Sequence, residues 1–324
     1  MAGPVRIGLL GASKIAPGAV IAPALADDGF VVTAVGARDR ARAAAYAAQH
    51  GIPGVADGYD DLVRRDDVDV VYNALPPSAH LEWSAKALEA GKAVLCEKPF
   101  CMGAGEARAM VAAADAAGRP LLEAAHYRFH GVLREAEALL RAGALGRVTS
   151  AQAEFHVRIA RTPNELRWRR ELGGGGLMDL GFYPLHALRT LLGGEPEVVA
   201  ASAEFEDGVD RTLGAQLRFP GDVPAGIACS MDPESPSAWL RIEGERGALE
   251  IVNFVAPQFG CRFVTVIDGE ETRRPTEGPT SYAAQLTHLG EVLAGAAAPL
   301  TGGADAIANM AAMDAIYAAA GRPG

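Results

Sequence analysis

Long apolar runs are missing from this 324-residue sequence. None approaches the roughly 20 residues of a helical bilayer span, so no membrane partner is expected. Positive charge is scarce too. Lys plus Arg is 30 against 40 Asp plus Glu, a formal net charge of −10. That balance argues against a nucleic-acid partner, whose footprint is a basic stripe. Cysteine is sparse, with Cys96, Cys101, Cys229 and Cys261 in no C-x-x-C pair. Neither a zinc ribbon nor a thioredoxin-type site is indicated, and no metal is expected. Internal repeats and low-complexity linkers are absent. The first residues, Met1-Ala2-Gly3-Pro4-Val5-Arg6, carry no charged leader with a long apolar core, so a cytoplasmic location with reduced thiols is expected.

Apolar residues make up 49% and charged residues 22%, a globular composition. At roughly 150 residues per domain, the length implies about two domains. The first 125 residues alternate short β-branched runs (Val5–Leu10, Phe30–Ala37, Val68–Asn73, Ala93–Cys96, Pro120–Ala124, a minor one near Val55) with Ala-rich helical stretches. Those stretches are Ile15–Ala26, Ala41–His50, Ala79–Ala90 and Gly105–Ala117. This rhythm predicts a doubly wound parallel sheet, an α/β Rossmann domain over 1–125. From about residue 150 the pattern becomes period-2, in Val148–Arg158, Val198–Glu206, Arg211–Phe219, Ala225–Met231, Trp239–Glu243, Ala248–Phe254 and Cys261–Ile267. These predict an α+β domain over 126–324 with an open, mostly antiparallel sheet. One long helix, Leu177–Leu192, interrupts it after Gly173-Gly174-Gly175-Gly176, and Ala304–Ala320 closes the chain as a helix.

The first strand runs into Gly11-Ala12-Ser13-Lys14-Ile15-Ala16. Dinucleotide folds need a tight turn here, so that backbone N–H groups face the pyrophosphate. Gly11 supplies the turn and Ala16 the small third position; Ser13 replaces the middle glycine and degrades the fingerprint. The strand–turn–helix context restores it. The second strand ends Val35-Gly36-Ala37-Arg38-Asp39. Ala37 aligns with the acid that NAD enzymes place on the ribose, and an arginine here accommodates a 2′-phosphate. The cofactor expected is therefore NADP, with NAD possible. Asp39 serves either as a helix cap or in a second ribose contact.

Two further stretches, Val71-Tyr72-Asn73-Ala74-Leu75-Pro76-Pro77-Ser78-Ala79-His80 and Ala90-Gly91-Lys92-Ala93-Val94-Leu95-Cys96-Glu97-Lys98-Pro99, stand beside Gly11–Ala16. Together they resemble the Gfo/Idh/MocA family of glucose–fructose oxidoreductases and inositol dehydrogenases, Glu97-Lys98-Pro99 being its most specific short mark. The chain is most similar to the branch of NADP-dependent D-xylose dehydrogenases and dimeric dihydrodiol dehydrogenases. That likeness rests on His80-Leu81-Glu82-Trp83, on 123–130, on 171–184 and on Asn309–Tyr317. Pro77, where relatives often have Asn, and Gly131, where they often have Pro, depart from the pattern.

The resemblance implies a cofactor site of Gly11, Ala12, Ser13, Lys14, Ile15, Arg38, Leu75, Pro76, His80, Glu97, Lys98 and Arg128. It implies Tyr183 as the proton-transfer residue, Lys98 as its helper at the reacting oxygen, and Asp179 as an acceptor for a substrate hydroxyl or a holder of Lys98. Asp179 and Tyr183 lie four apart on one helix face, with His186 further along the same stripe. Free Tyr titrates near 10, so a nearby ammonium is needed to bring its phenol toward neutrality. Substrate contacts are expected from Tyr127, Phe155, Arg167, Trp168 and His186, with only one of Phe155 and His156 facing the pocket. The arginines of 158–170 suit a polyhydroxylated or an acidic substrate equally. The four glycines are read as a close backbone approach to a ligand. The function implied is an oxidoreductase moving hydride between nicotinamide and a sugar or cyclic polyol, as aldose dehydrogenase or ketosugar reductase. An NAD-dependent glycosidase using transient oxidation, and a non-catalytic nucleotide-binding regulator, are the alternatives. A homodimer or homotetramer through the C-terminal sheet is expected by the same analogy.

Overall fold

The computed structural model describes residues 3–322. The chain clusters into two compact units, residues 1–126 with 282–307 and residues 127–281 with 308–324.

The first unit holds a parallel six-stranded sheet. Its strands are β1 (Val5–Leu10), β2 (Phe30–Gly36), β3 (Gly54–Val55), β4 (Val70–Asn73), β5 (Ala93–Cys96) and β6 (Leu121–Glu123). The order is β3-β2-β1-β4-β5-β6, the dinucleotide-binding order with its switch point between β1 and β4. Ligands of such sheets bind at the carboxyl ends of the strands beside that point. β4 and β5 are buried along their whole length, as the unbroken apolar runs Val70-Val71-Tyr72 and Ala93–Cys96 require of strands covered on both faces. The crossovers carry α1 (Ala22–Leu25), α2 (Arg40–His50), α3 (Tyr59–Arg64), α4 (His80–Glu89) and α5 (Ala104–Ala117). The helix after β1 opens as a wide π-turn, Pro17–Ile21, before tightening into α1.

Residues 282–307 return to this unit late in the chain. Leu286, Leu289 and Val292 of α8 (Ser281–Leu293) pack into the same core as Ile7, Leu9, Tyr72 and Leu95. The Thr301 hydroxyl donates to the Glu123 carbonyl at 2.7 Å, fastening this return beside β6.

The second unit is built on an eight-stranded sheet. Its strands are β7 (Val148–His156), β8 (Glu197–Glu206), β9 (Val209–Phe219), β10 (Val223–Ser230), β11 (Ser237–Gly244), β12 (Gly247–Val252), β13 (Arg262–Ile267) and β14 (Glu270–Arg273). The order is β14-β13-β12-β11-β7-β10-β9-β8, antiparallel except where β7 and β10 run parallel. β9 shows the alternation: Leu213, Ala215, Leu217 and Phe219 are buried, while Gln216 and Arg218 face solvent. Of α6 (Gly131–Arg141) and α7 (Phe182–Leu192), α7 packs on β7; of α9 (Gly303–Ala319), the residues from Ala308 onward belong to this unit. The stretch expected as one helix from Leu177 begins instead as a π-turn, Leu177–Gly181. Wide turns of this kind concentrate at functional sites.

Among the described residues no helix is long and apolar enough to cross a membrane. Nor, among them, could any group of three His, Cys, Asp or Glu residues hold a metal ion. All four cysteines are free thiols.

Candidate active site

In the first unit the site begins at Gly11. Its φ is +95°, and an added Cβ would sit 3.2 Å from Leu75 Cδ2 and 3.5 Å from the Ala74 carbonyl. Only glycine turns the chain this tightly here. The next carbonyls are pulled toward α2: Arg42 Nη2 donates to the Ala12 carbonyl and the Tyr46 hydroxyl to that of Ser13, each at 2.9 Å. In a trans peptide the N–H points opposite its carbonyl, so the N–H groups of Ser13 and Lys14 face away from α2. The Ser13 hydroxyl accepts from the Ala16 N–H at 3.3 Å, while the Lys14 and Ile15 side chains stand exposed. This is a cradle for an anion, and a pyrophosphate fits it.

At the end of β2, Ala37 is buried and Arg38 is exposed, with no ion-pair partner among the described residues. Asp39 is spent as a cap, its Oδ1 accepting from the Ala41 N–H at 2.8 Å at the start of α2. Of its two readings the cap is the one observed. The strand end therefore offers a guanidinium and no ribose-seeking carboxylate, which fits a 2′-phosphate.

His80 departs from its expected role. It is fully buried, with Nε2 2.8 Å from the Leu75 carbonyl and Nδ1 3.1 and 3.2 Å from those of Pro99 and Phe100. Its ring ties the loop after β4 to the loop after β5 and has no surface left for a cofactor. Asn73 extends the tie, its side chain accepting from the Leu75 N–H at 3.3 Å and donating to Ser84 Oγ at 3.1 Å. Leu75 is buried against Gly11 and Pro76 is half-buried.

Lys98 follows β5, joined to Pro99 by a cis peptide. Glu97 is anchored rather than free-standing: the Tyr72 hydroxyl donates to its Oε1 at 2.5 Å, and its Oε2 accepts from the Lys98 N–H at 3.3 Å. Burial first, then the Glu97 charge, holds the Tyr72 phenol well above its usual range. The Lys98 charge is felt nearby. Burial and then that ammonium press His126 down to about 3, so it stays neutral, its ring tilted against that of Tyr282 with centroids 4.1 Å apart.

In the second unit the glycine run works differently from the expectation. A Cβ on Gly174 would lie 2.6 Å from the Arg167 carbonyl, and one on Gly175 2.3 Å from Asp210 Oδ1. The glycines admit the protein's own backbone and a buried carboxylate, not a ligand. Asp210 Oδ2 accepts from the Leu177 N–H at 2.6 Å and Oδ1 from the Tyr317 hydroxyl at 2.8 Å. This carboxylate holds the start of the turn that carries Asp179. Burial pushes its pKa up, while its donors pull it back.

Asp179 meets the half-buried Arg167, Oδ2 to Nε at 2.7 Å, and Arg167 Nη1 reaches Glu165 at 3.2 Å. One turn on, Tyr183 is 6% exposed within an aromatic wall. The rings of Tyr127 and Phe155 lie 5.5 Å from it and that of Phe182 5.4 Å. Phe155 thus faces Tyr183, while its neighbour His156 turns to Glu154 on the other face, at 3.4 Å. Trp168 is pinned by its Nε1–H to the Ile159 carbonyl at 3.1 Å and lies 4.0 Å beneath the Arg161 guanidinium.

Three expected contacts are relocated. Tyr127 and His186 are fully buried and bonded to each other at 2.6 Å, so they back the Tyr183 wall instead of touching substrate. Arg128, expected at the cofactor, lies in the second unit, mostly buried and paired with Glu137 at 2.9 Å. Sequence reasoning missed Asp210, Tyr317 and Glu165. Asp210 opens an ordinary alternating strand and carries no local signal.

Residues 5–125 match the oxidoreductase family with an NAD-binding Rossmann fold, and residues 133–250 match the GFO/IDH/MocA C-terminal domain. The chain belongs to the Gfo/Idh/MocA oxidoreductase family. D-xylose 1-dehydrogenase (NADP(+)) 2 of Haloferax volcanii is 32% identical over 320 residues, 98% of this chain and 97% of the relative. Trans-1,2-dihydrobenzene-1,2-diol dehydrogenase of Sus scrofa is 34% identical, covering 75% of this chain and 71% of its own. A 3-ketoreductase from Actinomadura kijaniata, solved with NADP and TDP-benzene, superimposes with a TM-score of 0.90 at 26% identity over 98% of both chains. The oxidoreductase assignment accords with the switch-point cradle in the first unit and the Asp179–Tyr183 turn in the second.

Proposed function

We propose that this oxidoreductase uses NADP and moves a hydride between its nicotinamide and a sugar or cyclic polyol. NADP would rest on the Gly11–Ile15 cradle, with Arg38 on its 2′-phosphate; when bound, its nicotinamide ring supplies or takes up the hydride. The observation that carries the reading is Tyr183, a nearly buried phenol one turn beyond a carboxylate that is fixed by a guanidinium. Hydride leaves or reaches a carbon only as a proton leaves or reaches the attached oxygen. Tyr183 carries that proton, a role worth about 10²–10⁴-fold in rate. Lys98 is the helper at the reacting oxygen. Asp179 accepts from a neighbouring substrate hydroxyl. The xylose and dihydrodiol dehydrogenases among the relatives support a polyhydroxylated or cyclic diol substrate.

Residues 127–281 serve substrate binding and self-association. The solvent face of β8 and β9 presents Ala200, Ser202 and Gly214, small residues that permit close approach of a second copy as a dimer or tetramer, with the amide of Gln216 beside them. Light scattering is expected to give a mass above that of one chain; a monomer at working concentration overturns it.

The reaction is tested by following reduced nicotinamide with NADP⁺, then NAD⁺, against a panel of aldoses and trans-dihydrodiols. Turnover with NADP⁺ that vanishes in Lys98→Met is the expected result. Full turnover in Lys98→Met, or none in the wild type while NADP⁺ binds, contradicts the reading.

A further inference from the structure

Ser13 stands where the dinucleotide fingerprint has its middle glycine, the residue whose missing side chain lets backbone approach the pyrophosphate. Two contacts accommodate the serine. Its hydroxyl is turned back onto the Ala16 N–H at 3.3 Å, and its carbonyl accepts from the Tyr46 hydroxyl at 2.9 Å. Tyr46 reaches this loop from α2, one turn beyond Arg42 and on the same face, where Arg42 holds the Ala12 carbonyl. The Tyr46 ring packs with Ala12, Ala37 and Ala43 and is tilted against His50, centroids 4.4 Å apart. Burial pushes its phenol up to about 12, so the hydroxyl stays a donor through the working range. Among the described residues the N–H groups of Ser13, Lys14 and Ile15 meet no acceptor within the chain.

We propose that Tyr46 is a positioning residue for the cofactor, its hydroxyl fixing the Ser13–Lys14 peptide so that the Lys14 N–H is presented to the pyrophosphate despite the lost glycine. The inference rests on the reading of Gly11–Ile15 as the pyrophosphate cradle. In a trans peptide the N–H points opposite its carbonyl, so a carbonyl tied to α2 turns the N–H away from it. A loose peptide would be ordered only at the moment of binding. One already held has that cost behind it, which tightens binding without adding a contact to the ligand. The pyrophosphate is common to NADP and NAD, so Tyr46 acts on both alike. Preference between them falls instead to Arg38, whose guanidinium suits the 2′-phosphate that only NADP carries. Affinity and preference are thus divided between two residues.

The test uses the full chain and titration calorimetry with NADP⁺, NAD⁺ and ADP, the last carrying the pyrophosphate without nicotinamide or 2′-phosphate. Tyr46→Phe keeps the ring packing and removes only the donor. It should weaken all three ligands by one common factor of about 3–10, the equivalent of one neutral hydrogen bond. The NADP⁺ to NAD⁺ affinity ratio should stay that of the wild type. Steady-state kinetics should show KM for the cofactor raised by the same factor, with kcat at saturating cofactor little changed. Wild-type affinity for all three ligands in Tyr46→Phe overturns the proposal even if the variant melts earlier, because Tyr46 would then only pack α2. A loss confined to NADP⁺ overturns it as well, since that would place the hydroxyl at the 2′-phosphate. A wild type that binds none of the three defeats the cradle and this inference together. A wild type that favours NAD⁺ over NADP⁺ contradicts the NADP reading, while a common loss in Tyr46→Phe still supports the positioning role.

Discussion

Tyr317→Phe isolates one hydrogen bond beneath the candidate site. The Tyr317 hydroxyl donates to Asp210 Oδ1 at 2.8 Å, and the ring is 5% exposed, so phenylalanine keeps the packing and removes only the donor. Asp210 is fully buried and is then left with the Leu177 N–H at 2.6 Å as its remaining support from this pair. A hydrogen bond to a charged group contributes about 1.5–3 kcal/mol, so the loss should be about 2 kcal/mol at neutral pH. For a domain of this size that lowers Tm by roughly 4–8 °C. The pH dependence has a definite sign. Burial raises the Asp210 pKa in the folded state. Its favourable share of stability is therefore complete below the unfolded value, near 3.9, and lost as pH climbs through the folded value. Removing a donor to the carboxylate raises the folded pKa further, so the mutational loss is greatest above that value and shrinks on acidification toward pH 4. Thermal denaturation followed by tryptophan fluorescence at pH 7.5 and pH 4.5 reads both. A Tm change under 1 °C at pH 7.5, or a loss that grows in acid, refutes the reasoning.

Three further outcomes follow from single contacts. Gly11→Val forces a β-branched residue to φ +95° against Leu75 and should weaken NADP binding at least tenfold by titration, with strain on the order of 1–3 kcal/mol in denaturation. Arg38→Ala should raise KM for NADP⁺ roughly 10–100-fold, the equivalent of one charged hydrogen-bond pair, and leave KM for NAD⁺ nearly unchanged, as steady-state kinetics would show. His80→Phe removes the ring nitrogens that face the Leu75 carbonyl on one side and the Pro99 and Phe100 carbonyls on the other, and should cost about 1–3 kcal/mol by urea denaturation, with kcat falling because Pro99 adjoins Lys98.

The parallel sheet was legible because fully buried strands must be continuous apolar runs: Val5–Leu10 and Ala93–Cys96 have the bounds that their sequence implies. The alternating strands of the second sheet were legible for the complementary reason, one face being wet. The parallel pairing of β7 with β10 left no trace, since alternation is the same in either direction. Nor did the return of α8 to the first core, in which Leu289 shares a cluster with Ile7 from about 280 positions earlier. Lys98, Asp179 and Tyr183 stood out through resemblance. His80 did too, yet its buried bonds to three carbonyls make it a tie between loops, a distinction that residue type alone does not encode. The glycines at 173–176 marked a close approach correctly but not what approaches. Asp210 and Arg167 provide that, one from 34 positions downstream of Gly176 and the other from just before the run.

The central claim is that Tyr183 carries the proton of a hydride-transfer reaction. Its most direct test is kcat/KM of Tyr183→Phe with NADP⁺ and the best substrate, measured beside NADP⁺ affinity. The account predicts a fall of at least about 10²-fold with cofactor affinity unchanged. Activity within a few-fold of wild type would contradict it.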